Sequence, residues 1–243
     1  MSDNWLVTPP GRAKGCLPRD SRPGDLAPLL GEKIQVISDP REWDEILQLR
    51  EQRGEAFHGR RDVNQIKDQD GVGSCATEST AQGIEVIAER AGYPFVELNP
   101  WSIYRVTSGG VDRGSNIDRN LEFARNTGVL PESYWPRSKG WRANPPDGWR
   151  DVAAKYRIDE WYDMTSVAEV ATALLKGFAV VIGWSAHSEV LVDLLPGGKA
   201  LVANSWGTNW GDEGFHIEPL SKINWSYGAF AIRTLVDRGM QQQ

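Results

Sequence analysis

Small and apolar residues recur at helical spacing from position 75 onward. Ala76, Thr80, Gly83, Ile84, Ile87, Ala88 and Ala91 fall on one stripe, and Gly92 supplies a natural stop. Trp43, Ile46 and Leu47 lie on one side of the run EWDEILQLREQ and predict a shorter helix after Pro40. Ile117, Leu121 and Ala124, followed by Gly128, predict another over 117–127, and Pro100 opens one over Trp101–Val106. Ser166-Val167-Ala168-Glu169 matches a capping box. Behind it Val167, Val170, Ala171 and Leu174 share a face that ends at Gly177.

After Gly177 the period shortens to that of strands. The runs FAVVIGW, HSEVLVDLL, KALVANSW, GFHIEPL and GAFAIRTLV are rich in β-branched and aromatic residues, and Pro196-Gly197-Gly198 between two of them predicts a hairpin. The first forty residues are rich in Pro, Gly and Arg and read as an extended arm. The expected architecture is α+β. An arm occupies 1–60, a helical half 61–156 and a sheet-rich half 157–243, with a cleft between the two halves.

Composition narrows the function classes. The chain has 243 residues, 40% of them hydrophobic and 25% charged, which suits a folded core and not a disordered chain. A net charge of -6 argues against nucleic acid as a partner and against a basic membrane-binding face. No apolar stretch approaches the roughly 20 residues that cross a bilayer, and no leader pattern is visible at the N-terminus, so the expected location is cytoplasmic. Two cysteines, Cys16 and Cys75, allow one bridge at most, and no metal or cofactor motif stands out.

Cys75 follows Gly71-Val72-Gly73-Ser74 and opens the longest predicted helix. A thiol there faces unpaired backbone N–H groups and the positive end of the helix dipole, both of which favour thiolate. Lone cysteines otherwise serve most often as small buried hydrophobes. The chain offers three histidines as a base. His58 sits in the charged stretch HGRRD and reads as a solvated linker residue, while His216 in GFHIEP reads as a structural strand residue. His187 heads the run 187–195, where a strand edge can present an imidazole to the cleft.

The stretch Val202-Ala203-Asn204-Ser205-Trp206-Gly207-Thr208-Asn209-Trp210-Gly211 follows His187 by one strand-turn-strand excursion. It resembles the NSWG-x-x-WG hallmark of the papain-like cysteine protease family. Gln69-Asp70-Gly71-Val72-Gly73-Ser74-Cys75 resembles that family's Q-x-x-x-G-S-C loop, and the order Gln, Cys, His, Asn also agrees. The resemblance implies a papain-like two-part fold and a cysteine peptidase acting on a peptide or protein substrate. It makes Cys75 the nucleophile, His187 its proton partner and Asn204 the residue that orients the imidazole. Gln69 and the Cys75 N–H become the oxyanion donors. Trp206 would shield the Asn–His bond, and Trp210 would line the leaving-group side. Gly114 and Ser115 would pair with substrate backbone, and Trp184, Ser185 and Ala186 would wall a specificity pocket.

The sequence departs from the family at four places: Ala76 follows the nucleophile, Val72 stands where secreted members carry a disulfide cysteine, Ser115 replaces the second glycine of the substrate-pairing segment, and Ala186 precedes the histidine. The long inhibitory propeptide of lysosomal members is not recognisable in 1–60, leaving an abbreviated pro-segment, an arm of the fold or a contact to another chain. A peptide ligase, transpeptidase or amidase on the same scaffold fits the same residues, and a non-catalytic binding module is the alternative from another class.

Overall fold

A computed structural model describes residues 8–54 and 59–236, so His58 lies outside the described residues. Along the chain come β1 (Cys16–Leu17), α1 (Leu30–Lys33), α2 (Pro40–Arg53), α3 (Cys75–Arg90), α4 (Trp101–Thr107), β2 (Ser115–Asn116), α5 (Ile117–Asn126) and α6 (Trp149–Ala153). The second half contributes β3 (Ile158–Met164), α7 (Val167–Leu175), β4 (Ala179–Trp184), β5 (His187–Leu195), β6 (Lys199–Ala203), β7 (Phe215–Pro219) and β8 (Ala229–Leu235). The fold is α+β: a helical N-terminal part and a six-stranded sheet in the order β3-β8-β4-β5-β6-β7, every pair antiparallel.

The predicted helices form with their signals in place. Asp39 caps α2 by accepting from the Arg41 N–H, and Gly54 ends it in a left-handed conformation. Ser166 accepts from the Glu169 N–H at the start of α7, a cap worth about 1 kcal/mol. β3 was not foreseen as a strand; its polar pattern Ile158-Asp159-Glu160 hides it, and pairing with β8 makes it. The two-residue parallel ladder of β1 on β2 also carries no sequence signal.

α3 is the rod on which both halves are built, buried from Cys75 to Ala88. Its side chains join Ile117 and Leu121 of α5 with Val181, Val190, Phe230 and Ile232 of the sheet in one apolar core. A second core on the other face of the sheet unites Val180, Ile182, Leu191 and Val202 with α7 and with Trp43 of α2. Inside the first core, Lys67 Nζ meets Glu85 Oε1 at 2.5 Å with both side chains almost wholly buried.

The N-terminal arm is tied down along the top of the molecule. Arg19 pairs with Asp163 of β3, while Asp118 of α5 accepts from the backbone N–H groups of Asp20 and Ser21 and from the Ser21 hydroxyl. Arg12 forms a double contact with Asp68. The arm thus bridges both halves and crosses the line between them.

Candidate functional site

Cys75 is the first residue of α3 and is completely buried. The loop before it is fixed by Gln69. The Gln69 backbone N–H donates to Ser205 O at 2.9 Å, and its side-chain Nε2 donates to Val72 O at 2.8 Å. Its Oε1 accepts from the Ser205 hydroxyl at 2.7 Å, so the amide orientation is set by partners at both ends. This tethers the loop bearing Gln69 to the segment bearing Asn204.

His187 begins β5 directly after a two-residue turn. Ser185 and Ala186 occupy that turn with φ of 45° and 66°, the left-handed conformations a tight hairpin requires and a non-glycine residue resists. His187 Nε2 lies 2.7 Å from Asn204 Oδ1. Asn204 Oδ1 also accepts the Ser205 N–H at 2.6 Å, which assigns that atom as oxygen and therefore the proton to His187 Nε2. Nδ1 is then the basic nitrogen, and it has no hydrogen-bond partner among the described residues. Trp206 stacks on the imidazole with centroids 4.3 Å apart and planes 22° off parallel; Trp210 meets Trp206 edge-on at 5.4 Å.

The sulfur of Cys75 lies beside the His187 strand, accepting from the backbone N–H groups of Ser188 and Ala76. No hydrogen bond joins it to the imidazole. Its third partner is the arm: the Gly15 N–H donates to Cys75 Sγ at 3.3 Å. The next residue, Cys16, donates its N–H to Ala186 O at 2.9 Å, and Ser115 donates its own to Gly15 O at 2.9 Å. Ala13 O accepts from Gln69 Nε2 at 3.0 Å. The arm therefore occupies the cleft and engages the Gln69 loop, the nucleophile candidate, Ser115 and the Ser185–Ala186 hairpin together.

Two glycines make this crossing feasible. A Cβ on Gly15 would lie 1.9 Å from Gly73 O, and one on Gly114 would lie 2.3 Å from Gly15 O; both neighbours are backbone and cannot swing aside. The Cys16 side chain turns down beside Gly183, whose Cβ would stand 3.1 Å from the sulfur and 2.5 Å from Tyr227. Tyr227 Oη accepts the Ala186 N–H at 3.0 Å and so props the strained turn.

Two expectations are corrected here. The thiol of Cys75 was expected to be shifted toward thiolate. With the arm in place, burial raises its pKa to about 11, outweighing the backbone N–H groups that favour the anion. Burial likewise lowers His187, against the field of Glu189 and the bond from Asn204. At neutral pH the covered site holds a neutral thiol and a neutral imidazole. Trp184, expected to wall a pocket, instead packs in the core on the far face of the sheet and donates its indole N–H to Glu189. Its backbone and the Ser185–Ala186 turn remain at the cleft.

The sequence reading did not single out Ala13, Gly15, Tyr227 or Glu189, and it gave His216 no place near His187. Glu189 did carry a signal: it is a lone acid inside the apolar run HSEVLVDLL. The arm residues carried none, because backbone contacts leave no side-chain pattern. Among the described residues no group of three or more His, Cys, Asp or Glu side chains could hold a metal ion, and no helix is long and apolar enough to cross a membrane.

No family model matches the chain. Over 184 residues it is 28% identical to cysteine proteinase A of Leishmania mexicana and, equally, to cysteine proteinase 1 of Leishmania pifanoi, matching 63% of this chain. The chain spans about half the length of these curated relatives, 51% in each case. Among solved structures, xylellain, a cysteine protease from Xylella fastidiosa, superimposes with a TM-score of 0.61 at 22% identity, covering 70% of this chain and 82% of that one. The Amb a 11 cysteine protease of ragweed pollen, in its proform, gives 0.59 at 18% identity over 89% of this chain and 71% of its own. Digestive procathepsin L 3 of Tenebrio molitor gives 0.58 at 17% identity over 70% and 66%. The chain thus has the fold of these cysteine proteases and is a distant sequence relative of the two Leishmania enzymes.

Proposed function

We propose that the protein is a cysteine peptidase that hydrolyses peptide bonds through an acyl-enzyme on Cys75. We further propose that residues 9–17 act as a built-in cover that must leave the cleft before substrate enters. The observation that carries the reading is the His187–Asn204 bond under the Trp206 ring, which leaves Nδ1 as an unpartnered base beside the strand that also contacts the Cys75 sulfur.

Each step follows from these groups once the arm has moved. The Cys75 thiol passes its proton to His187 Nδ1, and the imidazolium is held by the Asn204 carbonyl on its other nitrogen. The thiolate adds to the scissile carbonyl. The resulting oxyanion is received by the Cys75 N–H and the Gln69 Nε2–H, the donor that Ala13 O now occupies. Collapse breaks the C–N bond while His187 Nδ1–H protonates the departing amine, leaving a thioester. A water loses its proton to His187, attacks the thioester, and releases the acid and the thiol.

The arm supports the cover reading because it presents an N–H, not a carbonyl carbon, to the sulfur. That orientation offers the nucleophile nothing to attack. Ser115, with Gly114 beside it, would pair with substrate backbone as it now pairs with Gly15, and the Ala186 carbonyl would take a substrate N–H as it now takes that of Cys16. The test is cleavage-site mapping on a peptide library with the Gly15→Ala protein. Cleavage that vanishes in Gly15→Ala/Cys75→Ala supports the reading, and persistence of cleavage without Cys75 overturns it.

A further inference from the structure

Behind His187 lies a second pair of ionisable groups that the reaction sequence does not use. Glu189 is two residues along β5, so it shares the sheet face of His187, and it is 2% exposed. Its Oε1 lies 3.0 Å from His216 Nε2 of β7, and its Oε2 accepts the indole N–H of Trp184, the residue opposite His187 in the β4–β5 ladder. His216 also touches Trp210 edge-on at 5.3 Å, and Trp210 leans on the Trp206 ring that covers His187. An aromatic chain of contact thus runs from His216 to the His187 imidazole, and a hydrogen bond ties Glu189 to the residue paired with His187 across the ladder.

We infer that the buried Glu189 carboxylate, hydrogen-bonded to His216, positions the Trp184–His187 end of the hairpin and sets the charge environment in which His187 takes up its proton. The inference rests on the proposed role of His187. A carboxylate with both oxygens occupied by N–H donors is fixed in place, and a fixed negative charge behind an imidazole stabilises its protonated form. His216 acts on His187 in the opposite direction. Burial alone would raise the Glu189 carboxyl, but His216 and Trp184 hold it below the usual range, consistent with an ionised group.

Lys67 and Glu78 of α3 line a small gap together with Glu189, and Glu78 is paired with Arg137 at 2.7 Å. Glu218 on β7 lies 3.9 Å from His216 Nδ1 and is paired with Lys222 at 3.0 Å. Lys14 of the arm opposes protonation of His187, and Cys75 of α3 is neutral in the covered state. Glu189 is therefore the main negative charge favouring the imidazolium. Glu189 and His216 are positioning residues; neither touches the reacting sulfur.

The test uses the full chain and the NMR titration of the His187 ring in wild type, Glu189→Gln and Glu189→Gln/His216→Gln. Glu189→Gln keeps the size of the side chain and removes its charge, and should lower the His187 pKa by about one unit. The double variant, which also removes the opposing influence of His216, should recover part of that fall, and folding of each is checked by near-ultraviolet circular dichroism. In the arm-displaced protein, the alkaline limb of kcat/KM should move with the NMR value while KM stays constant. An unchanged or raised His187 pKa in folded Glu189→Gln overturns the inference. Should Glu189→Gln fail to fold, Glu189→Asp keeps the charge and the double variant removes both; equal His187 pKa values in these two would overturn it as well. Absence of any peptidase activity in the arm-displaced wild type would instead sink the proposed function, and the NMR titration would still judge the pair.

Discussion

The N–H of Gly15 points at the sulfur of Cys75 from 3.3 Å, in the space where a substrate carbonyl would have to stand. Flanking contacts fix this placement: Ala13 O on Gln69, Gly15 O on Ser115, and the Cys16 N–H on Ala186. Over the cleft the arm is held by backbone hydrogen bonds and by the absence of side chains at Gly15, Gly73 and Gly114, between the flanking Arg12–Asp68 and Arg19–Asp163 pairs. Its grip should therefore be sensitive to one added methyl group.

Gly15→Ala should unseat the arm, because its Cβ would sit 1.9 Å from Gly73 O. Overpacking of this kind costs about 1–3 kcal/mol, enough to raise the open population on the order of tenfold or more. The alkylation rate of Cys75 by iodoacetamide, followed by mass spectrometry, should rise accordingly. An unchanged rate would mean that the arm does not control access.

Gln69→Ala removes the proposed oxyanion donor and an arm contact together. In the arm-displaced background kcat should fall about 10²–10³-fold with KM little changed. Steady-state kinetics on one cleaved peptide would check this, and a fall confined to KM would assign Gln69 to binding alone.

Asn204→Ala leaves His187 Nε2 without its acceptor. A hydrogen bond to a group that becomes charged is worth about 1.5–3 kcal/mol, so kcat should drop on the order of 10–100-fold. His187 should also become less basic, because the Asn204 bond favours its charged form. The alkaline limb of the kcat profile should move to lower pH, and movement to higher pH would contradict the geometry.

The covered state should weaken in alkali. Docking raises the Cys75 thiol to about 11, so the covered state keeps a proton that the open site has already released. Docking is therefore at full strength below the thiol pKa of the open site and weakens as the pH rises from there through 11. Hydrogen exchange of the Gly15 and Cys16 amides, corrected for intrinsic rates, should show loss of protection across this window, and protection that is constant through it would oppose the assignment.

Lys67→Met tests the core beneath the site. It strands the Glu85 carboxylate, which loses its partner at 2.5 Å inside a fully buried setting. Burial already raises the Glu85 carboxyl despite Lys67, and removing one member of such a pair costs about 3–5 kcal/mol. Urea unfolding should show the loss at neutral pH.

The candidate site residues stood out in the sequence because they sit in motifs: Gln69 and Cys75 share one loop, and Asn204, Trp206 and Trp210 share another. The long apolar runs announced β4, β5 and β8, and Ser166 announced α7. What stayed hidden depended on partners far away in the chain. β3 becomes a strand through β8, and Trp184 faces the far core because the alternation of β4 turns it there. The raised thiol could not be read from Cys75, since its cause is the burial completed by Gly15, sixty residues earlier. Helix position alone pointed to thiolate, and desolvation won.

The most direct measurement is the pH dependence of Cys75 alkylation in Gly15→Ala, with and without His187→Ala. The account predicts that with the arm displaced the Cys75 thiolate forms below pH 7 when His187 is present, and that His187→Ala returns it toward the ordinary thiol range. Identical profiles in the two proteins, both centred near that ordinary range, would contradict a shared proton between the sulfur and the imidazole.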